Sequence, residues 1–317
     1  MSQILVSAIS PCFRMKKYLK KFLEELPKQT IFENLEVILD HNEPDEEEIK
    51  MIQDFQNKYP NHLKHIIIPK VEPIGVSMNR CIKESTADIL TIWNIDDLRT
   101  ENSLELQYNK IKSNQDSSLV YGDFLIVRAF GSKIGKLVNT KRFSGKEFTR
   151  SMIFGPFFMF RKNMCDKVGY FDEQLKSGAD FDFCMRLAFA TKPIYTDGLL
   201  GYYLNEGKGA STRPGSLQVV ERTVIEMRYG IYDKVDYNYL PLIHKYSINE
   251  IINFGQKMTV DNFVLNYNEI LDLRNKKYFN KGLRKNFFYH ITNYRKIKYL
   301  LKKSIIKILK GINYKKY

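Results

Sequence analysis

Ile89-Leu90-Thr91-Ile92-Trp93-Asn94-Ile95-Asp96-Asp97 is a short apolar run that ends in an amide and two carboxylates. The β-branched and aromatic residues from Ile89 to Trp93 predict a buried strand. Open α/β sheets bind ligands beyond the carboxyl ends of their strands, which is where Asn94, Asp96 and Asp97 fall. Carboxylate oxygens there suit a divalent cation, which can bridge a diphosphate and stabilise a departing nucleotide as a Lewis acid. The same residues also suit a turn that caps a helix over Ser103 to Asn109.

The chain before this run alternates strands with helical segments, the pattern of a mostly parallel α/β sheet flanked by helices. Ile4 to Ile9, Leu35 to Leu39 and His65 to Ile68 read as strands. Lys16 to Leu26 reads as a helix with Tyr18, Leu19, Phe22, Leu23 and Leu26 on one face, and Val76 to Glu84 as another. After Pro44, the acidic run Asp45 to Glu48 suits a helix N-terminus, where carboxylates meet the positive end of the dipole. The short crossovers imply right-handed, parallel connections. From Ser103 to Pro214 the pattern is mixed, with strands expected at Leu119 to Tyr121 and Phe124 to Ala129 and a helix at Phe181 to Phe189. After Ser216 the chain turns helical, so a boundary is placed near Pro214.

At 317 residues, the chain accommodates a domain of roughly 200 residues and about 100 more. No tract approaches the roughly 20 apolar residues that span a bilayer. The longest, Ile153 to Phe160, is broken by Gly155 and Pro156. The amino terminus has no basic segment ahead of a long apolar one, so no signal peptide is read and a cytoplasmic location is expected. Cys12, Cys81, Cys165 and Cys184 lack C-x-x-C spacing and read as reduced core thiols. His62, His65, His244 and His290 share no metal-ligand spacing. No nucleophile elbow or Walker loop is present.

The formal charge of +14 sits at one end. Fifteen of the 50 Lys and Arg lie between Arg274 and Tyr317 with no Asp or Glu, leaving 35 basic against all 36 acidic residues in the preceding body. A protein that tracks a phosphate backbone spreads basic residues over its folded surface, so no nucleic-acid partner is expected. On a helical wheel Ile297, Leu300, Leu301, Ser304, Ile305, Ile308 and Ile312 share one face. Arg295, Lys296, Lys302, Lys303, Lys307 and Lys310 share the other. Such a helix suits docking on an anionic membrane surface. Packing of its apolar stripe on the catalytic domain is the alternative.

A second acidic segment, Ser177-Gly178-Ala179-Asp180-Phe181-Asp182, precedes Arg186 and Leu187. With a helix from Phe181, Asp180 is the N-cap, from which a carboxylate can enter a pocket and take a proton from an attacking hydroxyl. Asp182 with Arg186 makes an ordinary i,i+4 pair.

Taken in order, these segments resemble the family 2 glycosyltransferases over residues 3 to 212. Leu5 to Arg14 is similar to the family's opening V-S-V-I-I-P-x-Y-N, and Gln29-Thr30 to its Q-T. Leu35-Glu36-Val37-Ile38 is similar to its second strand, and Gly75, Ser77, Asn79 and Arg80 to G-x-s-x-x-R-N. Asn94-Ile95-Asp96-Asp97 resembles D-x-D-D. Gly155-Pro156 through Phe160-Arg161, then Gly169-Tyr170-Phe171-Asp172, resembles the acceptor-side stretch ending in G-x-F-D, and Ala179-Asp180-Phe181-Asp182 resembles E-D-x-D.

The resemblance implies a GT-A, Rossmann-like domain over 1–214 with a helical, basic region over 215–317. Residues 1–100 would be its nucleotide-binding half and 101–214 its acceptor and catalytic half. It implies an inverting transfer of sugar from a nucleotide-sugar donor to a saccharide or lipid-linked acceptor, with Mn2+ or Mg2+ as cofactor. Asp180 would be the general base, and Asp96 and Asp97 would serve ribose and metal. Pro11, Phe13, Asp40, Asn42, Asn79 and Asn94 would line the nucleotide-sugar site, while Gly155, Pro156, Asp182 and Arg186 would support the acceptor side. The Lys, Asn, Ile and Tyr richness points to an AT-rich genome, and hence to a bacterial surface polysaccharide or glycolipid made by a peripheral enzyme on the inner face of the membrane.

Four positions depart from the pattern. Asp40-His41-Asn42 replaces a paired Asp, so either Asp40 or Asn42 is expected to meet the base, and His41 is a further candidate for substrate contact. Met78 stands where an Arg often precedes the Asn, Asn94 replaces the first Asp of D-x-D, and Glu206 lies where a His often follows the Tyr202-Tyr203 pair. Trp93 is expected to fill the sheet beneath the nucleotide. A relative that keeps the fold as an inactive binding or scaffolding module is the alternative, and the retained Asp96, Asp97 and Asp180 count against it.

Overall fold

Parallel strands, buried at the centre of the sheet, set the frame, and the computed structural model describes residues 3–140, 154–207, 217–231 and 235–281. β1 (Val6–Cys12) pairs in parallel with β2 (Leu35–Asn42) and β4 (Ile89–Ile92), and β2 pairs with β3 (Leu63–Ile68). Every residue of β2 is buried, as expected where helices cover both faces of a parallel sheet. β8 (Met159–Arg161) then joins β4 in antiparallel fashion and also borders β6 (Leu119–Val127). β6 runs parallel to β9 (Ile194–Leu204), whose other edge holds β5 (Leu98–Arg99). With β7 (Lys136–Val138) on β6, the described residues form one nine-stranded sheet in the order β3-β2-β1-β4-β8-β6-β9-β5.

Helices α1 (Lys16–Glu25), α2 (Glu46–Lys58) and α3 (Ile74–Glu84) make the crossovers. α2 begins where the acidic run predicts: Asp45 accepts from the Glu48 N–H and Glu48 from the Asp45 N–H, a complete capping box. α1 contributes Leu19, Phe22 and Leu23 to the core beneath one sheet face. α4 (Ser103–Lys112), α5 (Met164–Val168) and α6 (Ala179–Ala190) belong to the second half. Gln29 donates to the Thr100 carbonyl at 3.0 Å, which gives the Q-T match a structural task.

Three expectations change. The strands expected at Leu119 to Tyr121 and Phe124 to Ala129 are one strand, β6, which ends at Val127, because register shifts near Gly122 absorb the interruption instead of ending the pairing. α6 starts at Ala179 with Gly178 as N-cap, so Asp180 lies in the first turn and is not the cap. The region after Pro214 is not helical throughout. Helices α7 (Leu217–Arg228), α8 (Leu240–Ile243) and α9 (Tyr267–Lys281) are joined by a hairpin of β10 (Glu250–Asn253) and β11 (Gln256–Thr259), closed by Phe254-Gly255. Ile225, Tyr229, Ile251 and Val260 enter the same core as Ile9, Ile38 and Phe183, so packing runs across the expected boundary. The basic stripe from Arg295 to Ile312 lies outside the described residues. Among the described residues no helix is long and apolar enough to cross a membrane.

Candidate active site

Carboxyl ends of β1 and β4, the end of β9 and the first turn of α6 surround one cavity of about 330 Å³. Pro11, Asn94, Asp96, Asp97, Pro156 and Asp180, expected in four separate motifs, all line it. Met78 and Glu206, two of the departures, line it as well.

The turn after β4 gives its two carboxylates different surroundings. Asp97 is buried and both of its oxygens hold protein donors, the Asn94 amide at 3.0 Å and the Leu204 N–H at 3.0 Å. Its carbonyl takes the Trp93 indole N–H at 3.0 Å, so Trp93 braces this turn while packing edge-on against Phe22. Burial and the neighbouring Asp96 charge push Asp97 up to about 8. Asp96 is only partly buried, and burial followed by the Glu206 charge raises it, its own backbone N–H partly offsetting both. Glu206 in turn binds Lys17 at 3.0 Å and the Tyr18 hydroxyl at 3.1 Å, tying the end of β9 to α1.

Asp180 faces the cavity from α6, and its carboxylate accepts the Phe181 N–H at 2.8 Å. Burial raises it to about 6, and the Glu221 charge contributes. Asp182, two residues on, points into the core. It meets Arg186 at 2.9 Å, Arg228 at 2.7 Å and the Tyr229 hydroxyl at 2.8 Å. Burial pushes Asp182 up, but the Arg228 and Arg186 charges outweigh it and hold its carboxyl below the usual range. Arg228 also binds Asp172 at 2.8 Å, and Arg186 donates to the carbonyls of Val168, Gly169 and Tyr170. Asp182 and Arg186 therefore hold α6 against the G-Y-F-D turn and do not reach the cavity.

Asp40 and Asn42 share one face at the end of β2, joined at 2.8 Å, with Arg80 on Asp40 and Ser77 on Asn42. Burial raises Asp40, with Ser77 and Arg80 partly offsetting it. Asp40 lies directly beside Pro11 in the strand register, next to the cavity but not among its lining residues. Phe13 is half-buried under the Arg14 guanidinium and also lies outside the lining. Asn79 is turned away: its amide bonds both polar groups of Phe171 and the Glu173 carboxylate, which leaves nothing for a nucleotide. Gly75 belongs to the same contact, since a Cβ there would stand 2.7 Å from the Asp172 carbonyl oxygen. Gly155 is required by its backbone, with φ of 64° and the Phe124 ring where a side chain would go. His41 is buried on the opposite face of β2 from Asp40, 3.5 Å from Glu48 and 3.3 Å from His65, and burial lowers it to about 4. It does not reach the cavity.

The sequence reading missed Arg228 and Glu221. Glu221, Val224, Ile225 and Arg228 fall at i, i+3, i+4 and i+7 on α7, so two charges sit on an apolar stripe. That misplacement was readable, because charge on a core face needs a buried partner.

The sequence model of glycosyl transferase family 2 matches residues 7–169. The chain belongs to that family. An uncharacterized glycosyltransferase of Methanocaldococcus jannaschii is 26% identical over 195 residues, which cover 59% of this chain and 65% of that protein. The chondroitin synthase of Escherichia coli is 23% identical over 58% of this chain and 26% of its own length. The chain thus spans less than two thirds of either curated relative. Among solved structures, S. aureus TarS bound to UDP superposes with a TM-score of 0.56 at 15% identity, over 90% of this chain and 74% of that one. The mannosyltransferase of Pyrobaculum calidifontis with GDP-Man and Mn2+ gives 0.51 at 13% identity, over 77% and 69%. These likenesses are to the GT-A fold, the architecture that the sequence motifs imply.

Proposed function

We propose that this family member is an inverting glycosyltransferase that moves a sugar from a nucleotide-sugar to an acceptor hydroxyl. The convergence of Asp180 with Asn94, Asp96 and Asp97 on one cavity carries the reading. The acceptor oxygen attacks the anomeric carbon as the bond to the diphosphate breaks. Its proton passes to the Asp180 carboxylate, and the nucleoside diphosphate leaves. A carboxylate raised to about 6 is still ionised at neutral pH and is a stronger base than a free Asp. Pro11, Asp40 and Asn42 would flank the nucleobase, and Asn94 the ribose.

A divalent cation fits this site. Asp96 presents a partly exposed carboxylate, whereas the oxygens of Asp97 already hold two N–H donors, so Asp96 would hold the ion and Asp97 would fix the turn. Glu206, brought near Asp96 by the end of β9, is a second oxygen donor. When bound, the cation supplies charge to the departing diphosphate. Among the described residues no cluster of three or more ligand-type side chains forms, so diphosphate oxygens and water would complete the shell.

The test is a panel of UDP- and GDP-sugars with Mn2+ or Mg2+, read by thermal shift and by released nucleotide. A ligand at a hundred times its Kd adds about 2.7 kcal/mol of stability. Stabilisation without nucleotide release for any donor would favour the inactive binding module, and no response at all would overturn the donor site. The charge asymmetry of the sequence also supports docking of the carboxyl-terminal stripe on an anionic membrane that carries a lipid-linked acceptor. Deleting residues 293–317 should abolish salt-sensitive sedimentation with anionic liposomes and leave nucleotide release intact. A truncated protein that melts much earlier would assign the stripe to the core.

A further inference from the structure

We infer that Glu221 on α7 is a positioning residue for Asp180, aiming its carboxyl and adding a negative charge beside it. The inference rests on Asp180 being the base. Three consecutive backbone N–H groups, from Lys176, Ser177 and Gly178, donate to the two Glu221 oxygens at 2.8, 2.6 and 2.8 Å. The Tyr246 hydroxyl adds a bond at 2.9 Å. Glu221 is fully buried, so these donors stand in for its lost hydration.

The three N–H groups belong to the turn that launches α6, and Asp180 is the second residue after it. A turn pinned at three successive amides has little freedom to tilt, so the Asp180 carboxyl enters the cavity from a fixed direction. Positioning to a fraction of an ångström is what a direct displacement requires. The charge has its own effect, since an ionised neighbour disfavours a second negative charge on Asp180.

Other groups around Asp180 do not duplicate this. Cys184, on the same helix, is a thiol that burial keeps protonated. Lys176 lines the cavity from the turn, and Asp96, Asp97 and Glu206 line it from the strand ends. Glu221 is the one among them that both bonds the turn and acts on the Asp180 charge. It also lies beyond the family match, which ends at residue 169.

The experiment measures nucleotide release, with its pH profile, from the UDP- or GDP-sugar that the donor panel selects. Glu221→Gln should lower kcat on the order of tenfold or more at unchanged donor KM. The acidic limb of its kcat/KM profile should move below its wild-type position, because removing the charge lets Asp180 ionise more readily. Glu221→Asp keeps the charge and should leave the limb in place while kcat still falls. A limb that stays put in Glu221→Gln would overturn the inference, whatever happens to kcat. Tyr246→Phe leaves the three backbone bonds intact and covers the case in which Glu221→Gln does not fold. It should cost kcat several-fold at unchanged donor KM, and wild-type kcat would count against the inference. Asp180→Asn separates the two levels. Full turnover there removes the base itself, whereas an inactive Asp180→Asn beside an unaltered Glu221→Gln removes only the role given to Glu221.

Discussion

Asp96-Asp97, in the turn after β4, and Asp180-Asp182, in the first turn of α6, are two acidic pairs at one cavity, and they solve the same problem differently. In each, one carboxylate is open to the cavity and the other is held by protein donors, Asp97 at the cavity lining and Asp182 in the core. Asp182 is anchored by Arg186 and Arg228, whose charges hold it ionised. Asp97 is anchored by an amide and a backbone N–H, neither of which carries charge, and burial beside Asp96 pushes it up to about 8. The second pair bonds its own cations, while the first bonds none and feels only the Arg99 charge, whose guanidinium donates to Gln107, Thr91 and the Ile92 carbonyl. A wall short of positive charge is where a metal ion and a diphosphate would be accommodated together, and a wall already neutralised leaves Asp180 free to handle a proton.

The largest effect expected from breaking this contrast is at Asp180. Asp180→Asn is nearly isosteric and cannot accept a proton, so transfer should fall about 10²- to 10⁴-fold with donor affinity kept. The wild-type kcat/KM should decline as pH falls through about 6, because the base must be ionised in the free enzyme. Comparable turnover by the variant, or a rate flat between pH 5 and 8, would take the base role from Asp180.

Next in size is Arg228. Arg228→Met removes the cation shared by Asp172 and Asp182 and leaves two buried carboxylates with less compensation, so unfolding should become easier by about 3–5 kcal/mol. Asp182 carries a folded pKa below its unfolded one, so its contribution is present above the unfolded value and lost as pH falls through the folded one. In the variant that contribution should shrink, flattening the acid side of the stability curve. Urea titrations at pH 7 and pH 4 measure both, and an unchanged midpoint would make Arg228 incidental.

The two pairs also differ in how far they could be read without coordinates. The position of the strand end was legible, because a strand's periodicity fixes where it stops and Asn94-Ile95-Asp96-Asp97 follows at once. What could not be read was which oxygen is already taken: Asp97 is occupied by Leu204, 107 residues away, through the pairing of β5 with β9. Asn79 was misread for the same reason, since its partners Phe171 and Glu173 come from a turn more than 90 residues on. Asp180 was read as the cap of its helix but stands two positions inside it, because Gly178 supplies the cap and the turn before it bonds Glu221. The hairpin after Asn249 escaped notice because Ile251-Ile252 and Lys257-Met258 are too short to carry a period.

The smallest expected effect tests the missing charge directly. The folded pKa of Asp97 lies above its unfolded one, so the group's contribution to stability is complete below the unfolded value and is lost as pH rises through about 8. Asp97→Asn removes that titration and keeps an oxygen for the Leu204 N–H. The difference in Tm between wild type and variant should therefore fall, in favour of the variant, as the metal-free protein is taken from pH 5 to pH 9. At this chain length about 1 kcal/mol corresponds to roughly 1–2 °C, which is measurable as a trend across the pH series. Mn2+ with UDP or GDP should restore the wild type's standing at pH 9, since a cation beside Asp96 supplies the charge that protons supply at pH 5. Asp96→Asn should lose that rescue while Asp182→Asn, on the wall that carries its own arginines, should keep the same response to Mn2+. A Tm difference that ignores pH, or a rescue that survives Asp96→Asn, would show that the first pair is as self-sufficient as the second and that the metal belongs elsewhere.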